Sequence, residues 1–160
     1  MYVPFDQMPD NSRIWIYQAD RQLTAPELTN VRETLNYFTQ YWQSHGAEVT
    51  ASYAILHDRF VVIAADTTQI GIGGCSIDKS VAVMQKLGEL LKVNFFDRLQ
   101  IAYLDEQEIK TTKLADVKLK VALGEISKQT LVFNNLISEK QQLGQQWQIP
   151  AHESFLSRYF

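Results

Sequence analysis

Cysteine is nearly missing from the 160 residues: there is one, Cys75. No intrachain disulfide can form, so a disulfide scaffold is excluded. Histidine is also scarce, with His45, His57 and His152 far apart and no CxxC or HxxxH pair. That leaves no ligand set for a structural zinc, and neither a metal nor another cofactor is expected. No apolar run approaches the ~20 residues that span a bilayer. The segment Met1-Tyr-Val-Pro-Phe-Asp6 lacks the basic and apolar regions of a secretory leader. A cytoplasmic chain without membrane insertion is the expectation. Positive charge is not in excess either: 15 Lys and Arg against 18 Asp and Glu give a net charge of −3. A nucleic-acid-coating protein would show the opposite balance, and the aromatic RNA-binding sheet signature is absent.

What is present suits a globular domain. Apolar residues make up 46% and charged residues 21%, close to the averages for folded proteins. A chain of this length buries about 70% of its unfolded surface. No linker divides it, so a single domain over 1–160 is expected.

Several elements can be placed. Ser12–Ala19 is β-branched and aromatic on both faces, as in a central strand. Thr24-Ala-Pro-Glu27 forms a capping box with proline in the first turn. Behind it, Leu28, Val31, Leu35, Phe38 and Trp42 fall three and four apart on one helical face, widened by Tyr37 and Tyr41. The helix is expected to end near Ser44-His45-Gly46, with Gly46 left-handed. Two β-rich runs, 48–56 and 59–66, flank His57-Asp58 and predict a hairpin. A second amphipathic helix carries Ile77, Val81, Met84, Leu87 and Leu91, and Arg98–Leu104 follows as a strand.

The order is βαββαβ, which predicts an α+β, ferredoxin-like sandwich over residues 12–104. Both helices would cover one face of a four-stranded antiparallel sheet. Residues 105–160 read as a mixed α/β extension packed on that unit. It holds a short helix at 115–123 ended by Gly124, a strand at 130–133 and a polar helical stretch at 138–146. The apolar end Phe155–Phe160 should dock on the body or on a second copy.

The functional question sits in Gly71–Ser80, a glycine-rich loop between a strand and a helix. Glycines let backbone approach an anion, and a helix start supplies unpaired N–H groups. Gly73, Gly74, Cys75, Ser76, Lys79 and Ser80 are the ligand-binding candidates. Against the Walker A pattern, Lys79 and Ser80 fit but Asp78 stands where the second glycine belongs. A carboxylate there repels phosphate by several kcal/mol at intermediate dielectric. Leu99–Asp105 with Glu106 resembles a Walker B strand, yet the short interval from Ser80 to Asp105 holds no LSGGQ-type signature. Nucleotide hydrolysis is therefore not expected, and no catalytic residues are assigned.

Further features have two readings each. Cys75, one residue before the expected N-cap Ser76, is a reactive thiolate or a small buried hydrophobe. His57-Asp58 is a polarised base or a solvated turn. Asp105, Glu106 and Glu108 are a cation site or a polar turn. Asn134-Asn135 is a ligand contact or an Asx turn.

The segments His57-Asp-Arg-Phe60, Gly74-Cys-Ser-Ile-Asp-Lys-Ser80, Phe96-Asp-Arg-Leu99 and Val132-Phe-Asn-Asn135 resemble a small bacterial family of about this length that goes by the name ABC transporter ATPase. The resemblance spans most of residues 12–155. It implies the name and a nucleotide among the ligands to consider, and it carries over no catalytic residues. Two functions remain from the residues themselves. The first is a non-catalytic interaction domain that binds a protein partner or a copy of itself through its sheet and C-terminal extension, with a homodimer expected because sheet edges pair readily. The second is a binding protein for a small anionic ligand, a nucleotide included, at Gly71–Ser80.

Overall fold

Thr24 closes the predicted capping box: its Oγ1 accepts from the Glu27 amide at 3.4 Å, and its own amide donates to Glu27 Oε1 at 2.9 Å. The box starts helix α1 (Ala25–Tyr41), preceded by strand β1 (Arg13–Gln18). A two-residue ribbon follows, β2 (Gln43–Ser44) against β3 (Ala47–Glu48), then hairpin β4 (Ala51–Leu56) and β5 (Phe60–Ala65), and helix α2 (Gly74–Leu91). The computed structural model describes residues 1–160 and divides into two compact units, Met1–Phe96 with Ser138–Gln141 and 97–137 with 142–160.

In the first unit β1, β5 and β4 form one antiparallel sheet in that order. β5 is its centre because Phe60–Ala65 has no polar residue to expose, and all six positions are fully buried. β1, expected in the centre, flanks it. Leu28, Val31 and Leu35 of α1 and Met84 and Leu87 of α2 pack with Val61, Ile63 and Ala65. Each buried aliphatic side chain in such a cluster contributes about 1.5–3 kcal/mol.

Two details of α1 differ from expectation. The helix stops at Tyr41, Trp42 is extended, and His45 (φ 53°) with Gly46 (φ 78°) closes the β2–β3 turn. Gly46 is left-handed as foreseen, but it shapes a hairpin turn instead of a helix end. Tyr37 and Tyr41 do not widen the buried face; both are exposed, their rings 4.8 Å apart.

The β4–β5 tip places His57 (φ 54°) and Asp58 (φ 52°) in left-handed conformations. Leu23 N–H donates to Asp58 O at 2.8 Å and Ala19 N–H to Arg59 O at 2.9 Å, which holds the turn against that strain.

The second unit contains β6 (Gln100–Asp105), β7 (Glu108–Lys113), α3 (Val117–Ala122), β8 (Leu131–Phe133) and β9 (Gln148–Pro150). Its sheet runs β7-β6-β8-β9, all antiparallel. The strand expected to complete a four-stranded ferredoxin-like sheet therefore pairs elsewhere. Glu106 at φ 58° makes a two-residue turn from Asp105 to Glu108, and closing so short a loop costs less entropy than reaching a distant strand. The architecture is mixed α+β in two antiparallel sheets plus the small ribbon.

α3 ends at left-handed Gly124, as predicted. The expected helix at 138–146 is instead an extended stretch and a 3-10 turn, Lys140–Gly144. Ile14 N–H donates to Ser138 O and Lys140 N–H to Ser12 O along the outer side of β1. Near the chain end, Leu156 is fully buried with Ile101, Tyr103 and Val117, and Tyr159 and Phe160 pack on that cluster. No helix is long and apolar enough to cross a membrane.

Candidate functional site

The loop leaving β5 is organised by short polar side chains. Asp66 Oδ1 accepts from Thr68 N–H at 2.9 Å and from Thr68 Oγ1 at 2.6 Å, an Asx turn. Ser44, on the β2–β3 ribbon, accepts from Gly73 N–H at 3.0 Å and donates to Gly71 O at 3.2 Å. One hydroxyl thus fastens both ends of the glycine-rich turn. Ser76 Oγ donates to Gln43 O at 2.8 Å, and Trp42 Nε1 donates to Ser76 O at 3.0 Å. The ribbon and Trp42 set the position and tilt of the helix that follows.

That helix starts earlier than expected. Gly73 is the N-cap, Gly74 and Cys75 open the first turn, and Ser76 lies inside it, buried. No side chain caps α2 and no acidic residue stands in its first turn. Asp78 is exposed in the second turn and is not among the residues lining the pocket over the helix start, so the partial positive charge there meets no acid within the first turn. Cys75 is exposed, which removes the buried-hydrophobe reading.

An open pocket of about 350 Å³ lies over this turn, lined by Gly73, Gly74, Cys75, Ser76 and Lys79 on one side and by the β2–β3 ribbon, with His45, on the other. His45 was not a candidate from sequence. A Cβ on Gly73 would sit 2.8 Å from His45 Nε2, so the imidazole lies directly against the glycine. The signal was the dipeptide His45-Gly46, which reads as a helix end or as a two-residue hairpin turn; only the second brings the ring back to the loop.

Ser80 belongs elsewhere. It is fully buried and its Oγ donates to Ile77 O at 2.6 Å. It also bonds the phenol of Tyr17, whose pKa is raised by burial and held back by that hydrogen bond. Five of the six candidates share one pocket, while the sixth is a core hydroxyl.

The other candidates fall into local structure. Asp105 pairs with Lys110 across the β6–β7 hairpin, and Glu106 forms its turn. No group of three or more His, Cys, Asp or Glu residues is arranged to hold a metal ion. Asn134 Oδ1 accepts from Leu136 N–H at 3.2 Å in an Asx turn, and Asn135 Oδ1 accepts from the Trp147 indole at 3.0 Å. His57 occupies the β4–β5 tip. No family model, curated protein or solved structure matches the chain.

Proposed function

We propose that the chain is a non-catalytic binding protein that holds a small anionic ligand, a phosphate or the phosphates of a nucleotide, at the start of α2. The observation that carries this reading is the uncapped first turn opening onto a pocket flanked by Lys79 and His45. Backbone N–H groups and a helix start favour negative charge, and the Lys79 ammonium adds a mobile counter-charge. Holding is favoured over hydrolysis because Ser80, the hydroxyl that a Walker-type site would turn toward a metal, is spent inside the core. A cytoplasmic setting, where a lone thiol such as Cys75 stays reduced, belongs to the same reading.

A thermal-shift series with phosphate, pyrophosphate, ATP and GTP tests it. Ligand at 100 times Kd stabilises by about 2.7 kcal/mol, and Lys79→Ala should remove most of the shift. No shift with any of the four would overturn the reading.

A second reading, pairing with another chain through a sheet edge, is favoured by β7, the longer of the two edge strands of its sheet. None of its outward N–H groups has an acceptor over the whole strand.

A further inference from the structure

We propose that β7 pairs antiparallel with β7 of a second copy, across a two-fold axis at Thr111. This rests on the edge-pairing reading and adds the partner and the register.

The donors follow from hydrogen-bond parity. Leu114 N–H donates to Leu99 O at 2.7 Å, and the register pairs Gln100 with Lys113 and Asp105 with Glu108. Bonded pairs alternate along an antiparallel ladder, so Glu108, Lys110 and Thr112 bond inward to β6. Ile109, Thr111 and Lys113 point their N–H and C=O groups outward.

Elsewhere the edges are shortened or partly occupied. Met1–Val3 bonds Ala51 on the outer side of β4, and Ser138 and Lys140 bond the start of β1. β9 is three residues long and ends in Pro150. β7 offers six residues, with only the Lys113 carbonyl engaged, by the Thr112 hydroxyl at 3.4 Å, and an open edge is a template for another strand. Lysine on an edge ordinarily discourages pairing, but Lys110 is held by Asp105 of its own hairpin.

Symmetry selects the register. A two-fold axis perpendicular to the sheet makes one residue face its own copy. Centring on the inward Lys110 or Thr112 would set Lys113 against Gln107 or Ile109 against Ala115, outside the strand, so an outward residue takes the axis. Centring on Lys113 sets two ammonium groups opposite each other, which is destabilising. Centring on Ile109 runs the partner into the Glu106-Gln107 turn. Centring on Thr111 places threonine opposite threonine, Ile109 opposite Lys113 and Lys110 opposite Thr112, with no like charges directly opposite; the two Lys110 residues are diagonal neighbours, each paired with its own Asp105. Threonine pairs are among the favourable cross-strand neighbours.

Sedimentation equilibrium on the full chain, with Thr111→Glu and Thr111→Lys variants, tests this. The wild type should dimerise in a concentration-dependent way. Each variant should weaken association about tenfold or more by setting like charges across the axis, and a mixture of the two should restore it as a heterodimer. Circular dichroism of each variant alone confirms that it folds. A wild type that stays monomeric overturns the proposal, as does a dimer indifferent to both variants or a mixture that fails to re-associate. If the wild type is monomeric yet a synthetic Glu108–Lys113 peptide slows exchange of the Thr111 amide, edge pairing survives and the second copy does not.

Discussion

Glu27 shows how much one carboxylate can organise. It accepts the Thr24 amide and receives both guanidinium nitrogens of Arg21 at 2.8 and 2.7 Å, while Arg21 Nη2 also donates to Leu91 O at the end of α2. The Arg21 bonds, then the Thr24 amide, hold the Glu27 carboxyl down to about 2 from an ordinary 4.5. A depressed pKa gives stability that is complete above the unfolded value and is lost as pH falls through the folded one. Urea midpoints should therefore decline from about pH 4.5 toward pH 2, and Glu27→Gln should lower the plateau at pH 6 while flattening that decline. A variant with the wild-type acid profile would contradict this. Thr24→Ala should cost about 1 kcal/mol, the usual effect of losing an N-cap oxygen. The buried hydroxyl of Ser52 has no hydrogen-bond partner, so its burial carries an uncompensated desolvation cost. Ser52→Ala should leave stability unchanged or raise it by up to about 1 kcal/mol in denaturant titrations; a loss larger than that would reveal a partner for the hydroxyl.

Among the elements, those with local instructions were legible in the sequence. The capping box placed the start of α1, the left-handed Gly124 placed the end of α3, and the β-rich runs around His57-Asp58 placed the β4–β5 hairpin. The destination of β6 was not legible. An apolar strand pattern encodes how deeply a strand is buried and carries no label for its neighbour, so Gln100–Asp105 fits either sheet until the Glu106 turn is recognised. Of the candidate site, the glycine loop and Lys79 could be read off, whereas His45 reached the pocket through a ribbon too short to announce itself. Gly88 illustrates packing overriding propensity. Alanine normally improves a helix interior by about 1 kcal/mol over glycine. Here a Cβ would lie 2.7 Å from the Val93 carbonyl oxygen, at the turn where left-handed Lys92 ends α2. Gly88→Ala should thus destabilise by about 1–3 kcal/mol, as overpacking does, and a rise in melting temperature would show that the carbonyl can yield.

For the whole molecule, the net charge of −3 does not attract anions from a distance. Affinity has to come from the first turn of α2 and its two neighbouring side chains, and Lys79 is exposed. Screening acts on such a contact, since the Debye length shortens from about 10 Å at 0.1 M salt to 3 Å at 1 M. Pyrophosphate affinity should fall as sodium chloride is raised, and titration calorimetry at several salt concentrations would show it. The most direct measurement is an amide-resolved NMR titration with pyrophosphate. The N–H resonances of Gly74 and Cys75 should move together and saturate, with Lys79→Ala weakening the binding. Resonances that stay in place at millimolar pyrophosphate, or shifts spread evenly over the surface, would contradict an anion site at the start of α2.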